Sequence, residues 1–231
     1  MQTTIRRLHL HLLETSGEIA DSHKAYGKHP IERLVDLGLY NERLIAAHMT
    51  QLTDDEVALT AESGVHVLHC PAANMKLASG FCRVDALDQA GVNIAIGTDG
   101  AASNNRLDMF AEMRLASLNA KGHSLNPLAA PAARSLSMAT IQGARALGLD
   151  KEIGSVEVGK QADLIAVNLA DPGTTPVHNV ISHLVYSVGR HQVSDVWVAG
   201  QHCVSQREVL TIDAPSVVNR AHEWALKMSA H

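Results

Sequence analysis

The feature that most constrains this chain is an apolar run at residues 92–96 that leads to Asp99, a carboxylate flanked by Gly97 and Gly100. Short runs of β-branched and small apolar residues are typical of buried parallel strands, and the glycines allow the backbone to turn where it leaves the sheet. Asp99 is therefore predicted at the carboxyl end of a strand, the edge at which α/β proteins hold ligands and metals. Taken alone, the stretch favours the commoner role of such an aspartate, which is to start a turn or to cap the next helix.

Three earlier apolar runs end in the same way, each at a histidine. They lie at residues 5–12, 44–48 and 65–69, and the histidines are His11, His48 and His69. Helical patterns separate the runs, for example at residues 54–62, which follow a capping box formed by Thr53 and Glu56. Strands and helices that alternate in this way predict βα units and a parallel sheet, whose strand ends meet at one edge.

Four polar, titratable residues at four strand ends are hard to attribute to four independent turns. His11, His48 and Asp99 are therefore predicted to act together. For His69, which lies two residues before Pro71, a loop-capping role stays open. His9 shares a face of its strand with His11, because side chains repeat every second residue, and it is open to being a hydrogen-bonded interior histidine.

The later part of the chain predicts helices packed outside the sheet, followed by a small β-domain. Apolar spacing predicts a helix from residue 104 to about residue 120, a second at 136–147 and a third at 214–228. Residues 154–167 suggest two short strands around a turn, and residues 193–201 suggest a strand that enters a hairpin. These strands carry no cluster of titratable residues, so the β-domain is predicted to be structural.

Composition narrows the classes of partner. The 231 residues are 46% hydrophobic, enough for a substantial core, while a net charge of −5 and 3% aromatic residues argue against nucleic acid and favour a small molecule. No apolar run approaches the roughly 20 residues that a spanning helix needs, so no membrane partner is predicted. The three cysteines lack any C-x-x-C spacing, which predicts a reducing, cytoplasmic location.

Several stretches together resemble one known family. They are HLLET at residues 11–15, AH at 47–48, HCP at 69–71, NMKL at 74–77, GTDGAASNN at 97–105 and the segment 154–164. The chain is similar over its whole length to cytosine-deaminase-like amidohydrolases, most of all to the 5-methylthioadenosine/S-adenosylhomocysteine deaminases. The resemblance implies an α/β fold, with strands five to eight of a (β/α)8 metal-dependent hydrolase barrel at residues 1–152. It further implies a β-sandwich portion at 153–213 and a C-terminal helix at 214–231.

The same resemblance assigns roles to individual residues. It implies one divalent metal, zinc or alternatively iron, with His11 and Asp99 as ligands. Glu14 would take a proton from water and deliver it to the ring nitrogen and the leaving amine, and His48 would orient the attacking hydroxide. Asp99 could also accept a proton from that water, so the implied catalytic set is Glu14, His48 and Asp99. The implied reaction is hydrolytic deamination of a small adenosine-like purine.

Two departures from the family pattern affect this expectation. The family also uses a His-x-His pair at the end of its first barrel strand, and only three further strand ends follow His11 before the β-domain. The chain is therefore expected to lack the first four strands, and to form a homo-oligomer or to need the missing amino-terminal segment. Ala73 stands where relatives usually carry serine, which changes the local substrate contacts.

Two alternatives stay open. The first is a non-catalytic fragment or assembly subunit that keeps the amidohydrolase fold. The second is a deaminase or chlorohydrolase for another heterocycle, such as guanine, cytosine or a triazine.

Overall fold

The computed structural model describes residues 7–229, and its strands form two separate four-stranded sheets. The first sheet is parallel and consists of β1 (Leu8–Leu12), β2 (Leu44–His48), β3 (His66–His69) and β4 (Ile94–Ile96). The second is antiparallel and consists of β5 (Leu164–Val167), β6 (Val193–Val198), β7 (Gln201–Ser205) and β8 (Glu208–Val209).

Helices connect the parallel strands and follow the last of them. Their bounds are α1 (Ser16–Tyr26), α2 (Pro30–Asp36), α3 (Asp54–Ser63), α4 (Pro71–Lys76), α5 (Val84–Gln89), α6 (Ala101–Asn104), α7 (Met109–Ser124), α8 (Ala132–Met138), α9 (Ile141–Leu147), α10 (Val180–Tyr186) and α11 (Ala214–Ser229). Within residues 7–229, no helix combines the length and the apolar character needed to cross a bilayer.

The parallel strands lie side by side in the order in which they occur along the chain, β1-β2-β3-β4. A doubly wound sheet reverses its strand order partway, whereas a (β/α) barrel adds each strand next to the one before it. The predicted parallel sheet is therefore confirmed, and its order is that of a barrel segment. Among the described residues β1 and β4 form its two edges, and β1 pairs with β2 so that Leu12 lies opposite His48.

The sheet separates a large core from a small one. Leu44 and Ala46 of β2 belong to the large core, which the connecting helices complete. Ile45 points to the opposite face and packs with Ala95 and Ala146 in the smaller cluster. All five residues of β2 are buried, as expected of a strand covered on both faces.

Local sequence signals position α2 and the predicted helix α3. Thr53 and Glu56 form the capping box at the start of α3, and Gly64 ends that helix in the left-handed conformation at φ +70°. His29 caps α2, whose first residue is Pro30. These signals act within a few residues of one another, which is why the sequence reveals them.

The single helix predicted at residues 136–147 is wrong, because the chain forms two helices there. α8 ends at Met138 and α9 starts at Ile141, with Thr140 between them in a non-helical conformation. The Thr140 hydroxyl donates to the Leu136 carbonyl at 2.8 Å. A threonine that bonds to the backbone in this way competes with the helical hydrogen bonds and favours a break.

Two other predicted elements also differ. Residues 154–167 hold one strand, β5, instead of two, because Gly154 and Gly159 adopt φ of +92° and +96° and the segment between them turns. The helix predicted from residue 104 begins later, as α7 at Met109, and Asp108 caps it by accepting from the Phe110 and Ala111 amides. The short α6 ends where the predicted range begins, and Leu107 lies before α7 and is exposed.

The last two helices differ in their surroundings. α10 falls within the range predicted as β-sandwich, yet it packs against α7 and α8 of the preceding layer. α11 confirms the predicted C-terminal helix, and none of its described residues is buried. Its exposed apolar side chains include Val217 and Trp224.

Candidate active site

Three of the four parallel strands lead into non-glycine residues with left-handed backbone conformations. His48 has φ +74°, Asp99 has φ +59°, and Leu13, directly after β1, has φ +50°. Such conformations cost about 1 to 3 kcal/mol each and persist only where the surrounding structure holds them, most often at functional sites. Part of the backbone strain of the described chain therefore lies at the edge where the sequence predicted the site.

His11, His48 and Asp99 meet at this edge. One ligand atom of each residue lies within 4.8 Å of the others, the one such group of three found among residues 7–229. The rings of His11 and His48 are 4.8 Å apart between centroids and meet edge to face at 85°. Two imidazole nitrogens and a carboxylate oxygen are a donor set typical of zinc.

Glu14 lies beside this group. Its Oε2 is 3.7 Å from His48 Nε2, and its Oε1 accepts a hydrogen bond from Ser79 Oγ at 3.2 Å. The Thr50 hydroxyl donates to the Glu14 carbonyl at 2.7 Å, and the Glu14 amide donates to Glu18 at 2.8 Å. Both the backbone and the side chain of Glu14 are thus held in place.

His48 is fully buried, and its two ring nitrogens have different surroundings. Nδ1 lies 2.7 Å from Asn74 Oδ1. Nε2 has no hydrogen-bond partner within residues 7–229. A buried polar atom without a partner is costly, and this one faces His11, Asp99 and Glu14. The residues present therefore fit a metal ion and its water.

Asp99 is held as an anion by its neighbours. Partial burial by itself raises the pKa of Asp99, but hydrogen bonds from the Ser103 side chain and the Gly100 amide, together with nearby His48 and His11, bring it below its usual value. A carboxylate that stays ionised at neutral pH suits a metal ligand.

Glu112 of α7 supports two segments of the site from behind. It is 1% exposed, and its Oε1 accepts from Asn104 Nδ2 at 2.8 Å while its Oε2 accepts from the Ala72 amide at 3.1 Å. Asn104 also donates to the Thr98 carbonyl next to Asp99. Burial raises the pKa of Glu112, although the two hydrogen bonds partly oppose it. The Glu112 carboxylate thereby links residues 98–104, which include Asp99, to the start of α4.

His69 and His9, the other two histidines considered from the sequence, lie outside the group of His11, His48 and Asp99. His69 is buried, and neither of its ring nitrogens has a partner in the described part of the chain. Burial, assisted by the nearby His48, lowers the pKa of His69 to about 3, so the ring is neutral at physiological pH. His9 is exposed on β1, so the alternative of an interior histidine is wrong.

Sequence reasoning assigned no role to three side chains that contact the predicted residues. They are Asn74, Thr50 and Ser79. Each lies in a turn or a short helix, where polar residues are common, and nothing in the local pattern distinguishes them. Only the position of Asn74 within the NMKL stretch offered a signal.

The chain matches the amidohydrolase family over residues 6–203. The 5-methylthioadenosine/S-adenosylhomocysteine deaminase of Teredinibacter turnerae is 48% identical over 224 residues, which are 97% of this chain and 51% of the relative. The 5'-deoxyadenosine deaminase of Methanosarcina mazei is 41% identical over 96% of this chain and 51% of its own length. The chain spans about half the length of the curated relatives it matches.

Solved structures agree with these matches. An adenosine deaminase from Xanthomonas campestris with bound zinc superposes at a TM-score of 0.95 with 53% identity, over 97% of this chain and 51% of its own. The zinc complex of the atrazine chlorohydrolase TrzN from Arthrobacter aurescens superposes at 0.88 with 27% identity, over 94% and 48%. The fold and the spatial arrangement of the described residues are therefore those of known structures.

Proposed function

This chain belongs to the amidohydrolase family, and we propose that it forms the carboxyl-terminal half of a metal-dependent hydrolytic deaminase. The proposed substrate class is adenosine-like purines of the 5-methylthioadenosine and S-adenosylhomocysteine type. The observation that carries the proposal is the convergence of His11, His48 and Asp99, with Glu14 Oε2 3.7 Å from His48 Nε2. Relatives named as deaminases of these purines are 40–49% identical, compared with 27% for the triazine enzyme, which favours the purine class.

We assign the metal to His11 and Asp99, with zinc favoured over iron. The nitrogen and oxygen donors suit zinc, and zinc is bound in the X. campestris neighbour. A divalent metal, when bound, supplies Lewis acidity that lowers the pKa of water from about 15.7 toward about 7. His48 lies next to both ligands, and its unpartnered Nε2 is available to accept a hydrogen bond from the attacking water.

Glu14 moves the protons in this proposal. Its carboxylate takes one proton from the water at Oε2 while the new C–O bond forms at the ring carbon that carries the amine. Glu14 delivers this proton to the ring nitrogen. It then carries the second proton, from the hydroxyl now on the ring carbon, to the amine, so that the C–N bond breaks, the C=O bond forms and ammonia leaves. The hydrogen bond from Ser79 to Oε1 holds the carboxylate in orientation while Oε2 faces the water.

We also retain the predicted division of the chain. Residues 1–152 would form barrel strands five to eight, residues 153–213 part of the sandwich and residues 214–231 the terminal helix. The two sheets and the exposed α11 support it. A cytoplasmic location is supported by the three unpaired cysteines, Cys70, Cys82 and Cys203.

The complete site is proposed to need a further polypeptide or a second copy of the chain. Two protein ligands, His11 and Asp99, hold zinc poorly compared with the usual set of three or more. The edges of β1 and β4, unpaired among the described residues, offer backbone groups for pairing with another chain. The alternative is a subunit that has the fold but no activity.

Ammonia release from 5-methylthioadenosine tests the proposal. The 231-residue chain is assayed with zinc, alone and after co-expression with the half of the T. turnerae relative that it does not match. We expect negligible turnover alone and restored turnover in the pair, with a matched Glu14→Gln pair inactive. Turnover by a zinc-free preparation, or a Glu14→Gln pair as active as the parent, would overturn the assignment.

A further inference from the structure

We propose that Asn74 is a positioning residue that fixes the tautomer of His48, so that the Nε2 lone pair faces the metal and the attacking water. The inference rests on the proposed function of this site. It concerns a residue whose side chain bonds to His48, and to neither His11 nor Asp99 within the described residues.

The hydrogen bond defines which nitrogen of His48 carries the proton. Asn74 Oδ1 lies 2.7 Å from Nδ1, and an amide oxygen can only accept. Nδ1 must therefore be the protonated nitrogen. Because a neutral imidazole has a single N–H, Nε2 is left with a free lone pair.

The position of Nε2 gives this choice a chemical consequence. Nε2 is the atom that has no hydrogen-bond partner within the described residues and that lies near Glu14. With its lone pair free, it can accept a hydrogen bond from water or coordinate a metal. In the opposite tautomer, Nε2 would carry a proton and point an N–H group toward the metal and the water. It could then neither coordinate the metal nor accept a hydrogen bond from the water.

Asn74 is held in place by its surroundings. Its side chain is buried at 1% exposure on α4. Its backbone amide donates to the Cys70 carbonyl at 3.0 Å, and its backbone carbonyl accepts from the Ser79 amide at 2.9 Å. The first turn of α4 is in turn anchored by the bond from the Ala72 amide to Glu112. The side chain thus lies against His48 with Oδ1 toward Nδ1, while its Nδ2 has no hydrogen-bond partner within the described residues.

The backbone of His48 is equally constrained. Its left-handed conformation, φ +74°, is followed by Met49 at φ +49°, and the Met49 amide donates to the Leu12 carbonyl of β1 at 3.1 Å. The backbone therefore directs the ring into the site, and the 2.7 Å contact between Nδ1 and Asn74 Oδ1 sets its tautomer.

Long-range proton–nitrogen NMR of the 231-residue chain reads the tautomer directly. The signals of the His48 ring nitrogens are identified because they disappear from the spectrum of His48→Gln. In the parent chain we expect the proton on Nδ1 and the chemical shift of an unprotonated nitrogen at Nε2. Asn74→Leu, which has a similar volume but cannot accept, is expected to give a mixture of tautomers. Asn74→Asp keeps an acceptor oxygen and is expected to keep Nδ1 protonated.

Asn93→Leu serves as the matched control. Asn93 is also partly buried and bonds to the Gln142 carbonyl at 3.1 Å, but it precedes β4 at the opposite end of the sheet. The same substitution there should leave the His48 signals unchanged, which separates positioning from general loss of stability.

Zinc affinity, measured by competition with a chelating dye, supplies a second readout. Loss of an outer-shell partner commonly costs 10- to 100-fold in metal affinity, and we expect about that loss in Asn74→Leu, with Asn74→Asp close to the parent.

A parent chain with its proton on Nε2, or an Asn74→Leu chain with an unaltered tautomer, overturns the proposal. If Asn74→Leu does not fold, the parent and Asn74→Asp spectra decide. A fixed tautomer in a parent chain that binds no zinc even in the co-expressed pair would refute the proposed metal site and leave the positioning role supported.

Discussion

Glu14 and His48 leave neighbouring parallel strands and approach to 3.7 Å between Oε2 and Nε2. The register of β1 and β2 explains the approach, because Leu12 lies opposite His48 and Glu14 follows two residues later. Thr50 reinforces it, since its hydroxyl bonds to the Glu14 carbonyl. Strand pairing thus sets the distance between the proposed proton carrier and the histidine proposed to orient water.

Substitution of Glu14 by glutamine tests the proton-transfer role. The amide keeps the shape and the bond to Ser79 but cannot carry protons, so we expect a loss of about 10²- to 10⁴-fold in turnover by the active pair. Zinc content by elemental analysis should stay at the parental level. Glu62→Gln, at an exposed position of α3, is the control and should leave turnover unchanged. Parental turnover in Glu14→Gln would remove Glu14 from the mechanism.

Alanine substitutions distinguish the proposed metal ligands. His11→Ala and Asp99→Ala should weaken zinc binding by more than the roughly 10- to 100-fold that loss of an outer-shell partner costs. His9→Ala should leave zinc binding unchanged, because His9 is exposed and lies outside the ligand group. If His9→Ala released the zinc instead, the His9-x-His11 pair would become the ligand pair and the assignment of His11 to the fifth barrel strand would be wrong.

Alkaline pH should destabilise the fold through Tyr40. Burial raises the pKa of Tyr40 to about 12, although its hydrogen bond to Thr60 partly opposes the rise. The Thr60 hydroxyl donates to the Glu56 carbonyl, so the Tyr40 hydroxyl is the donor in its 2.7 Å bond to Thr60.

The loss of stability at alkaline pH follows from the difference between the tyrosine pKa in the folded and the unfolded chain. The unfolded chain releases the tyrosine proton near pH 10 and the folded chain only near pH 12, so stability is full below pH 10 and falls as pH rises to 12. At about 1.4 kcal/mol per pKa unit, the loss is on the order of 2 to 3 kcal/mol. Urea unfolding at pH 9 and pH 11 should show a smaller decline in Tyr40→Phe than in the parent or in the control Tyr26→Phe. Equal declines in all three would contradict the assignment.

The three cysteines should differ in reactivity. Cys70 and Cys82 are 2% and 3% exposed, and burial raises the pKa of each to about 12, whereas Cys203 is partly exposed. Because the thiolate is the reactive form, we expect a disulfide reagent to label one thiol in the folded chain and three in urea. Cys203→Ser should abolish the fast labelling. Rapid labelling of two or more thiols in the native chain would show that the core around β3 opens readily.

Much of the fold could be predicted from the sequence. The four apolar runs, the capping box at Thr53 and the helix-ending Gly64 depend on residues within one or two turns, so the pattern contains the information. The convergence of His11, His48 and Asp99 was also predictable, because parallel strands bring their carboxyl ends to one edge. The helix at residues 136–147 was predicted wrongly because the Thr140 hydroxyl bonds to the preceding turn, an interaction that apolar spacing does not encode.

The sequence by itself therefore determined which residues stand at the strand ends, and the tertiary structure decided how they are held. The bond from His48 to Asn74 spans 26 residues, that from Ala72 to Glu112 spans 40, and that from Ser79 to Glu14 spans 65. The left-handed conformations of His48 and Asp99 are likewise unfavourable for an isolated segment. Periodicity reports which residues share a face of one element, whereas these bonds and conformations exist only because packing brings distant segments into contact and offsets their local cost.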